Sequence, residues 1–222
     1  MFAVSADDRH IAVVVADFSS SGAATRLYVE DLSGGSNHID TFSETGANTL
    51  WPVGWLGTDK LVLAVMPACD QVGTQHFAAT AIHIVEAATA DRLYSIGGPN
   101  CTPNIPTSLA GVVCQLAGGT IQVLSWTNTL SRPGYLPAEP QVPMYLAPDG
   151  SAIAVSDGPN SSTIEARGYP KLPMNVCGWI DSTHVFSGSD AQNQASVGDI
   201  TNSKMVSVPV QGVCAGRIPN EL

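Results

Sequence analysis

The sequence has little charge. Only 13% of its 222 residues are Asp, Glu, Lys or Arg, about half of the ~25% found in an average soluble protein. Long surface helices normally carry many charged residues, so this composition disfavours a helical protein. The chain has nine basic against nineteen acidic residues and no Lys/Arg cluster. This acidic charge balance argues against nucleic acid and against anionic membrane surfaces as partners.

Long apolar runs are also missing. No stretch approaches the roughly 18 apolar residues that cross a bilayer, so we expect no membrane insertion by this segment. The first eight residues lack the basic region and the apolar stretch of a signal peptide. They resemble the middle of a strand instead. Our hypothesis is that any signal or anchor lies upstream.

Sequence signatures of catalytic, metal and cofactor sites are absent. There is no P-loop, no GxGxxG, no HExxH, no GxSxG elbow, no EF-hand loop and no CxxC pair. We therefore predict no catalytic residue, no metal site and no cofactor. The expectation is that the protein is not an enzyme.

What the sequence does contain is a recurring pair of apolar runs around a tight polar turn. Its 21 glycines and 15 prolines make up about 16% of the 222 residues. These two types usually make up roughly 12%. Asp-Gly or Gly-Gly between β-rich runs is a strong hairpin signal. Five such hairpins lie at 2–15, 52–65, 112–124, 144–155 and 176–187.

The hairpins also resemble one another. Gly54-Trp55-Leu56 matches Gly178-Trp179-Ile180, and Val-Cys recurs at positions 113, 176 and 213. Two further strands follow several of the hairpins, and four antiparallel strands per unit form the blade of a β-propeller. We predict an all-β, propeller-like domain over residues 1–222. Its units span approximately 1–47, 48–108, 109–140, 141–174 and 175–222, with loop insertions at 67–79, 97–108 and 127–143.

Two questions about this architecture stay open at the sequence level. The rival fold is a pair of β-sandwich domains joined by the Pro-rich segment 132–143. The segment 212–218 resembles the first strand of a sixth unit, but no further strands of that unit follow in the sequence. Either it closes five blades as a clasp, or the chain is an incomplete ring or a fragment of a larger one.

Two segments carry a family resemblance. Residues 145–154, YLAPDGSAIA, resemble the SPDG-type hairpin of Tol-type and related WD-like bacterial propellers, and residues 2–12 are a looser copy. In this motif proline sets φ and Asp-Gly makes the turn. The resemblance implies a propeller architecture. It also implies a periplasmic or secreted binding module, a peptidase accessory domain or a sensor domain.

Cysteine usage indicates an oxidising, extracytoplasmic compartment. Cys69 and Cys101 lie in loop segments, and we predict a disulfide between them. Cys114, Cys177 and Cys214 recur at one strand position, where they are either buried small apolar residues or partners of one another. An odd total of five cysteines leaves at least one thiol unpaired in a monomer.

Aromatic residues and histidines supply the remaining candidates. Trp55 and Trp179 are equivalent in the repeat and should pack between blades. Trp51 and Trp126 lie beside the insertions and are candidate binding residues, with core packing as the competing interpretation. His10 and His184 occupy matching positions, which favours a structural role for both.

These features predict a non-catalytic binding, sensor or scaffold module of an extracytoplasmic protein. Its loop insertions would recognise a protein, peptide or glycan. The alternative is a propeller-type enzyme or the accessory domain of a hydrolase.

Overall fold

The computed structural model describes residues 1–19, 22–34, 39–68, 79–105, 107–117, 119–133, 143–158, 160–165, 171–189 and 194–211. The described residues form five small antiparallel sheets and no helix. In each sheet the strands follow one another in chain order. The all-β class and the hairpin architecture predicted from sequence are confirmed.

The first two sheets have four strands each. The first sheet contains β1 (Phe2–Val4), β2 (His10–Ser19), β3 (Gly22–Asp31) and β4 (Ile39–Gly46). The second contains β5 (Asn48–Leu56), β6 (Lys60–Pro67), β7 (Ala81–Glu86) and β8 (Arg92–Gly97).

The remaining sheets are shorter. The third contains β9 (Thr102–Pro103), β10 (Val112–Gln115), β11 (Ile121–Leu124) and β12 (Leu130–Pro133). The fourth contains β13 (Met144–Leu146), β14 (Ile153–Gly158) and β15 (Ser161–Glu165). The fifth contains β16 (Gly178–Trp179), β17 (His184–Ser187), β18 (Ser196–Asp199) and β19 (Met205–Ser207).

Four hydrophobic clusters fill the four gaps between consecutive sheets. One lies between the first and second sheets, around Leu27 and Leu61. The next, between the second and third sheets, contains Val112. Val113, adjacent in β10, belongs to the cluster between the third and fourth sheets. The last cluster, around Val185, joins the fourth sheet to the fifth. The sheets are therefore stacked in chain order.

This stacking explains why the strands differ in pattern. A strand in an interior sheet is covered on both faces, and β6 is accordingly buried at six consecutive positions from Leu61 to Met66. In β2 of the first sheet, Val14 is 1% exposed whereas its neighbour Val15 is 43% exposed. In the fifth sheet Val185 is fully buried, but Val206 is 65% exposed. Among the described residues, each end sheet therefore has only one of its faces covered.

The SPDG-like hairpins form equivalent turns. Gly150 has a φ of +74° and donates its N–H to Ala147 O at 2.9 Å. At the matching position Asp8 has a φ of +55° and donates to Ser5 O at 3.0 Å. Asp tolerates this left-handed conformation better than most non-glycine residues. The looser sequence copy therefore makes the same turn.

Two predicted insertions contain sheet strands. The segment 97–108 includes β9, whose Pro103 pairs with Cys114, and the segment 127–143 includes β12. In the fourth sheet Leu172 takes the place of a fourth strand, because it exchanges two backbone hydrogen bonds with Ser162. The predicted sixth first strand at 212–218 lies outside the described residues, as do 69–78 and 134–142 of the insertions.

The predicted Cys69–Cys101 disulfide is wrong in its pairing. Cys101 is bonded to Cys114, with 5.2 Å between the two Cα atoms. The reason is that β9 pairs with β10, which brings the residue before β9 against the buried strand. Cys114 is therefore not a free apolar side chain. Cys177 is disulfide-bonded as well, while Cys69 and Cys214 lie outside the described residues.

Candidate functional site

A cleft opens between the first and second sheets. Its volume is about 430 Å³, within the roughly 300–1,000 Å³ typical of ligand pockets. It lies at the end of the sheets where β4 runs into β5. The residues that line it come from six strands and two connecting turns and are Thr25, Leu27, Glu44, Gly46, Ala47, Asn48, Thr49, Leu50, Leu63, Val65, His83, Val85, Ala90 and Arg92.

Strand alternation decides which side chains of the second sheet reach this cleft. In β7, Ile82 and Ile84 belong to the cluster shared with the third sheet. His83 and Val85, which alternate with them, therefore face the first sheet, and both line the cleft. A half-buried histidine thus lies on a wall that is otherwise largely apolar.

Four polar side chains of the lining have no side-chain partner among the described residues. Glu44, Asn48, His83 and Arg92 make no side-chain hydrogen bond or ion pair with any other described residue. Deeper in the cleft, the buried hydroxyls of Thr25 and Thr49 lie 3.3 Å apart. Polar groups that converge on a concave site without internal partners are available to a ligand.

His83 is neutral at pH 7. Burial lowers the pKa of its imidazole below the ordinary value of 6.5, and the positive charge of nearby Arg92 lowers it further. A neutral imidazole offers one N–H donor and one nitrogen acceptor. The second-sheet wall therefore presents one cation, Arg92, beside an uncharged donor and acceptor.

The tryptophans occupy packing positions. Trp55 and Trp179 are buried between sheets, which confirms the role predicted for this pair. Trp126 is 7% exposed and donates its indole N–H to Leu109 O at 3.1 Å. Trp51 is half-buried and packs against the same cluster as Trp126. Neither candidate lines the cleft, and these placements favour core packing over ligand contact.

The matched histidines each meet an aspartate. Nε2 of His10 lies 3.3 Å from Asp31, and the ring stacks on Trp55 with 5.9 Å between centroids. Nδ1 of His184 lies 2.9 Å from Asp181 within one turn. Both pairs lie at the starts of second strands and away from the cleft.

Sequence reasoning missed the cleft because its residues are distant along the chain. One local signal was present: His83 alternates with Ile82 and Ile84, and alternation places it on the opposite face of the strand. Nothing in the sequence reveals that Glu44 and Arg92 face the same space.

The described part of the chain contains neither a candidate metal site nor a candidate membrane span. No group of three or more His, Cys, Asp or Glu side chains in this part of the chain could hold a metal ion. It also contains no helix that is long and apolar enough to span a bilayer.

Comparisons with known proteins define the fold. No protein-family model and no curated protein sequence matches the chain. A chain from a crystal structure of a mitotic checkpoint complex aligns over 93% of this protein, with a TM-score of 0.57 and 13% identity. An oligogalacturonate lyase in complex with manganese aligns over 93%, with a TM-score of 0.54 and 16% identity.

The described sheets and these likenesses together show a β-propeller-like fold. The protein spans 64% and 63% of the lengths of the two matched chains.

Proposed function

We propose that the protein is a non-catalytic binding module of an extracytoplasmic protein, and that it takes its ligand in the cleft between the first and second sheets. The observation that carries the proposal is the set of unpartnered polar side chains around an apolar floor. Glu44, Asn48 and Arg92 are exposed and His83 is half-buried, so each can bond to a ligand without first losing a bond to another described residue. A hydrogen bond from a ligand to one of the charged side chains contributes about 1.5–3 kcal/mol.

The disulfide bonds support the proposed extracytoplasmic location. Cys101–Cys114 and the bonded Cys177 fit an oxidising environment, where such bonds form and persist. The fold supports a binding role in general terms, because a chain of the same fold occurs in the multiprotein mitotic checkpoint complex. Recognition of a protein, a peptide or a glycan is compatible with this proposal.

A specific observation favours a second candidate, an enzyme. The half-buried neutral imidazole of His83 has the character of a general base, and one structural neighbour is a lyase. The two candidates differ in turnover. Binding with an unchanged ligand after long incubation supports the module, whereas product formation that His83→Gln abolishes supports the enzyme.

Blocking the cleft tests the binding proposal directly. Gly46 lines the cleft, and a Cβ built on it meets nothing closer than a Glu44 side-chain oxygen at 3.9 Å. Gly46→Phe should therefore fold and fill the cleft. The control is Thr45→Phe, which adds the same ring to the opposite face of β4. A panel of short peptides and oligosaccharides, screened by thermal shift, should stabilise the wild type and the control but not Gly46→Phe. Equal shifts in all three proteins would contradict the proposal.

A further inference from the structure

The charges of the cleft are divided between its two walls. Glu44 belongs to β4, the edge strand of the first sheet, and Arg92 belongs to β8, the edge strand of the second. Both side chains are exposed, both line the cleft, and they do not pair with each other. A ligand in the cleft therefore meets a carboxylate on one side and a guanidinium on the other.

We infer that the ligand is a short peptide with free termini, its ammonium group on Glu44 and its carboxylate on Arg92. The inference rests on the binding function proposed above and names the chemical class of the ligand. Arg binds carboxylates through a fork of parallel N–H donors. His83 lies close enough to Arg92 to feel its charge and can donate one further N–H to the same carboxylate.

The separation of the walls sets the length of the peptide. Stacked β-sheets lie about 10 Å apart, and an extended chain covers about 3.3–3.6 Å per residue. About three residues therefore bridge the two charges. A single amino acid cannot do so, because its ammonium and carboxylate are attached to the same carbon atom.

The apolar floor of the cleft favours an apolar side chain in the middle of the peptide. The cleft is also lined by the branched apolar side chains of Leu27, Leu50, Leu63, Val65 and Val85, of which all but the partly exposed Leu50 are buried. An apolar central residue would pack against these groups and cover the exposed part of Leu50, whereas the hydroxyl-covered faces of an oligosaccharide would leave them unmatched. Asn48 and the Thr25–Thr49 hydroxyls remain for the peptide groups.

Calorimetric titration with the tripeptide Ala-Leu-Ala tests the inference. Its N-acetylated form, its C-terminal amide, free leucine and maltotriose serve as comparison ligands. The free tripeptide should bind, and blocking either end should weaken binding about tenfold, as for a charge-assisted hydrogen bond in a partly buried site. Leucine and maltotriose should bind more weakly than the tripeptide.

Variants assign each end to its wall. In Glu44→Gln, acetylation should no longer matter, and in Arg92→Gln, amidation should no longer matter. Asp17→Asn and Arg26→Gln, on the opposite face of the first sheet, make the same charge changes and should bind like the wild type.

The outcomes separate this inference from the proposed function. If maltotriose or the doubly blocked tripeptide binds as well as the free form, and Gly46→Phe abolishes that binding, the cleft is a binding site but the inference is wrong. If the free tripeptide binds Gly46→Phe as well as the wild type, the proposed site is wrong. If no peptide or saccharide binds, both are wrong.

Discussion

The indole Nε1 of Trp179 donates a hydrogen bond to the backbone oxygen of Tyr145 on the preceding sheet, 2.8 Å away. Trp55 makes the equivalent bond to Ala3 O at 3.0 Å. Tyr145 and Ala3 hold the same place in the two SPDG-like hairpins. The interface between sheets one and two therefore repeats between sheets four and five, down to a single hydrogen bond.

Replacing either tryptophan with phenylalanine should destabilise the protein. Trp179→Phe and Trp55→Phe keep most of the buried ring but leave a partly buried carbonyl without its donor, which costs about 1–2 kcal/mol. Chemical denaturation measures the loss. Tyr145→Phe is the control, because it keeps the backbone acceptor and removes a hydroxyl that bonds to no described residue. A change in the free energy of unfolding below about 0.5 kcal/mol in both tryptophan variants would show that this hydrogen bond does not stabilise the fold.

One exposed turn stores removable backbone strain. Ala90, between β7 and β8, has a φ of +60°, a left-handed conformation that costs an L-residue with a Cβ roughly 1–2 kcal/mol. Ala90→Gly should therefore raise the free energy of unfolding by up to about 1 kcal/mol after the entropy of glycine is subtracted. Ala88→Gly, two residues earlier in the same turn and without positive φ, should lower it instead. Destabilisation by both substitutions would contradict the turn geometry.

Asp181 links stability to acid pH. Hydrogen bonds from the backbone N–H and hydroxyl of Thr183 and from His184 lower the pKa of its carboxyl from 3.8 to about 2. A folded-state pKa below the unfolded value means that the carboxylate stabilises the fold above about pH 4. That stabilisation is lost as the pH falls through about 2.

The pH profile of a variant checks this sign. Asp181→Asn should be less stable than the wild type above about pH 4, and the difference should shrink towards pH 2. Carboxyl NMR titration should place the midpoint of Asp181 near 2. A stability difference that stays constant over this range would show that the charge of Asp181 plays no part.

The cysteines make a countable prediction. Three of the five are disulfide-bonded in the described residues, Cys101 and Cys114 to each other and Cys177 to a further cysteine. Thiol titration of the denatured, unreduced protein should therefore find one free thiol, and peptide mapping should recover Cys101 linked to Cys114. Five free thiols would overturn both the disulfides and the extracytoplasmic proposal.

Local chemistry made the hairpins predictable from the sequence. Pro148-Asp149-Gly150 carries its own turn preference, and the apolar runs around it alternate or continue according to how many faces are covered. The matched Gly-Trp pairs correctly indicated a repeat. The first hairpin has Asp8 at the position that Gly150 occupies in the fourth. It forms the same turn because Asp also accepts the left-handed conformation.

Elements that depend on tertiary contacts were not predictable. β9 is two residues long and contains Pro103, so no propensity marks it as a strand. It exists because β10 offers an edge and the Cys101–Cys114 bond joins the two segments. The cleft escaped prediction for the same reason, since Glu44 of the first sheet faces the same space as His83 and Arg92 only when the first two sheets stack.

The central claim is that five sheets stack in a row, with both faces covered in the interior sheets and one face covered at the ends. Four identical substitutions test it: Val14→Ala and Val15→Ala in the first sheet, and Val112→Ala and Val113→Ala in the third. Loss of two buried methyl groups costs about 2 kcal/mol. The stacked arrangement predicts that cost for Val112, Val113 and Val14, and less than about 0.5 kcal/mol for Val15, which is 43% exposed. Equal losses at Val14 and Val15, or a small loss at either Val112 or Val113, would contradict the stacked arrangement.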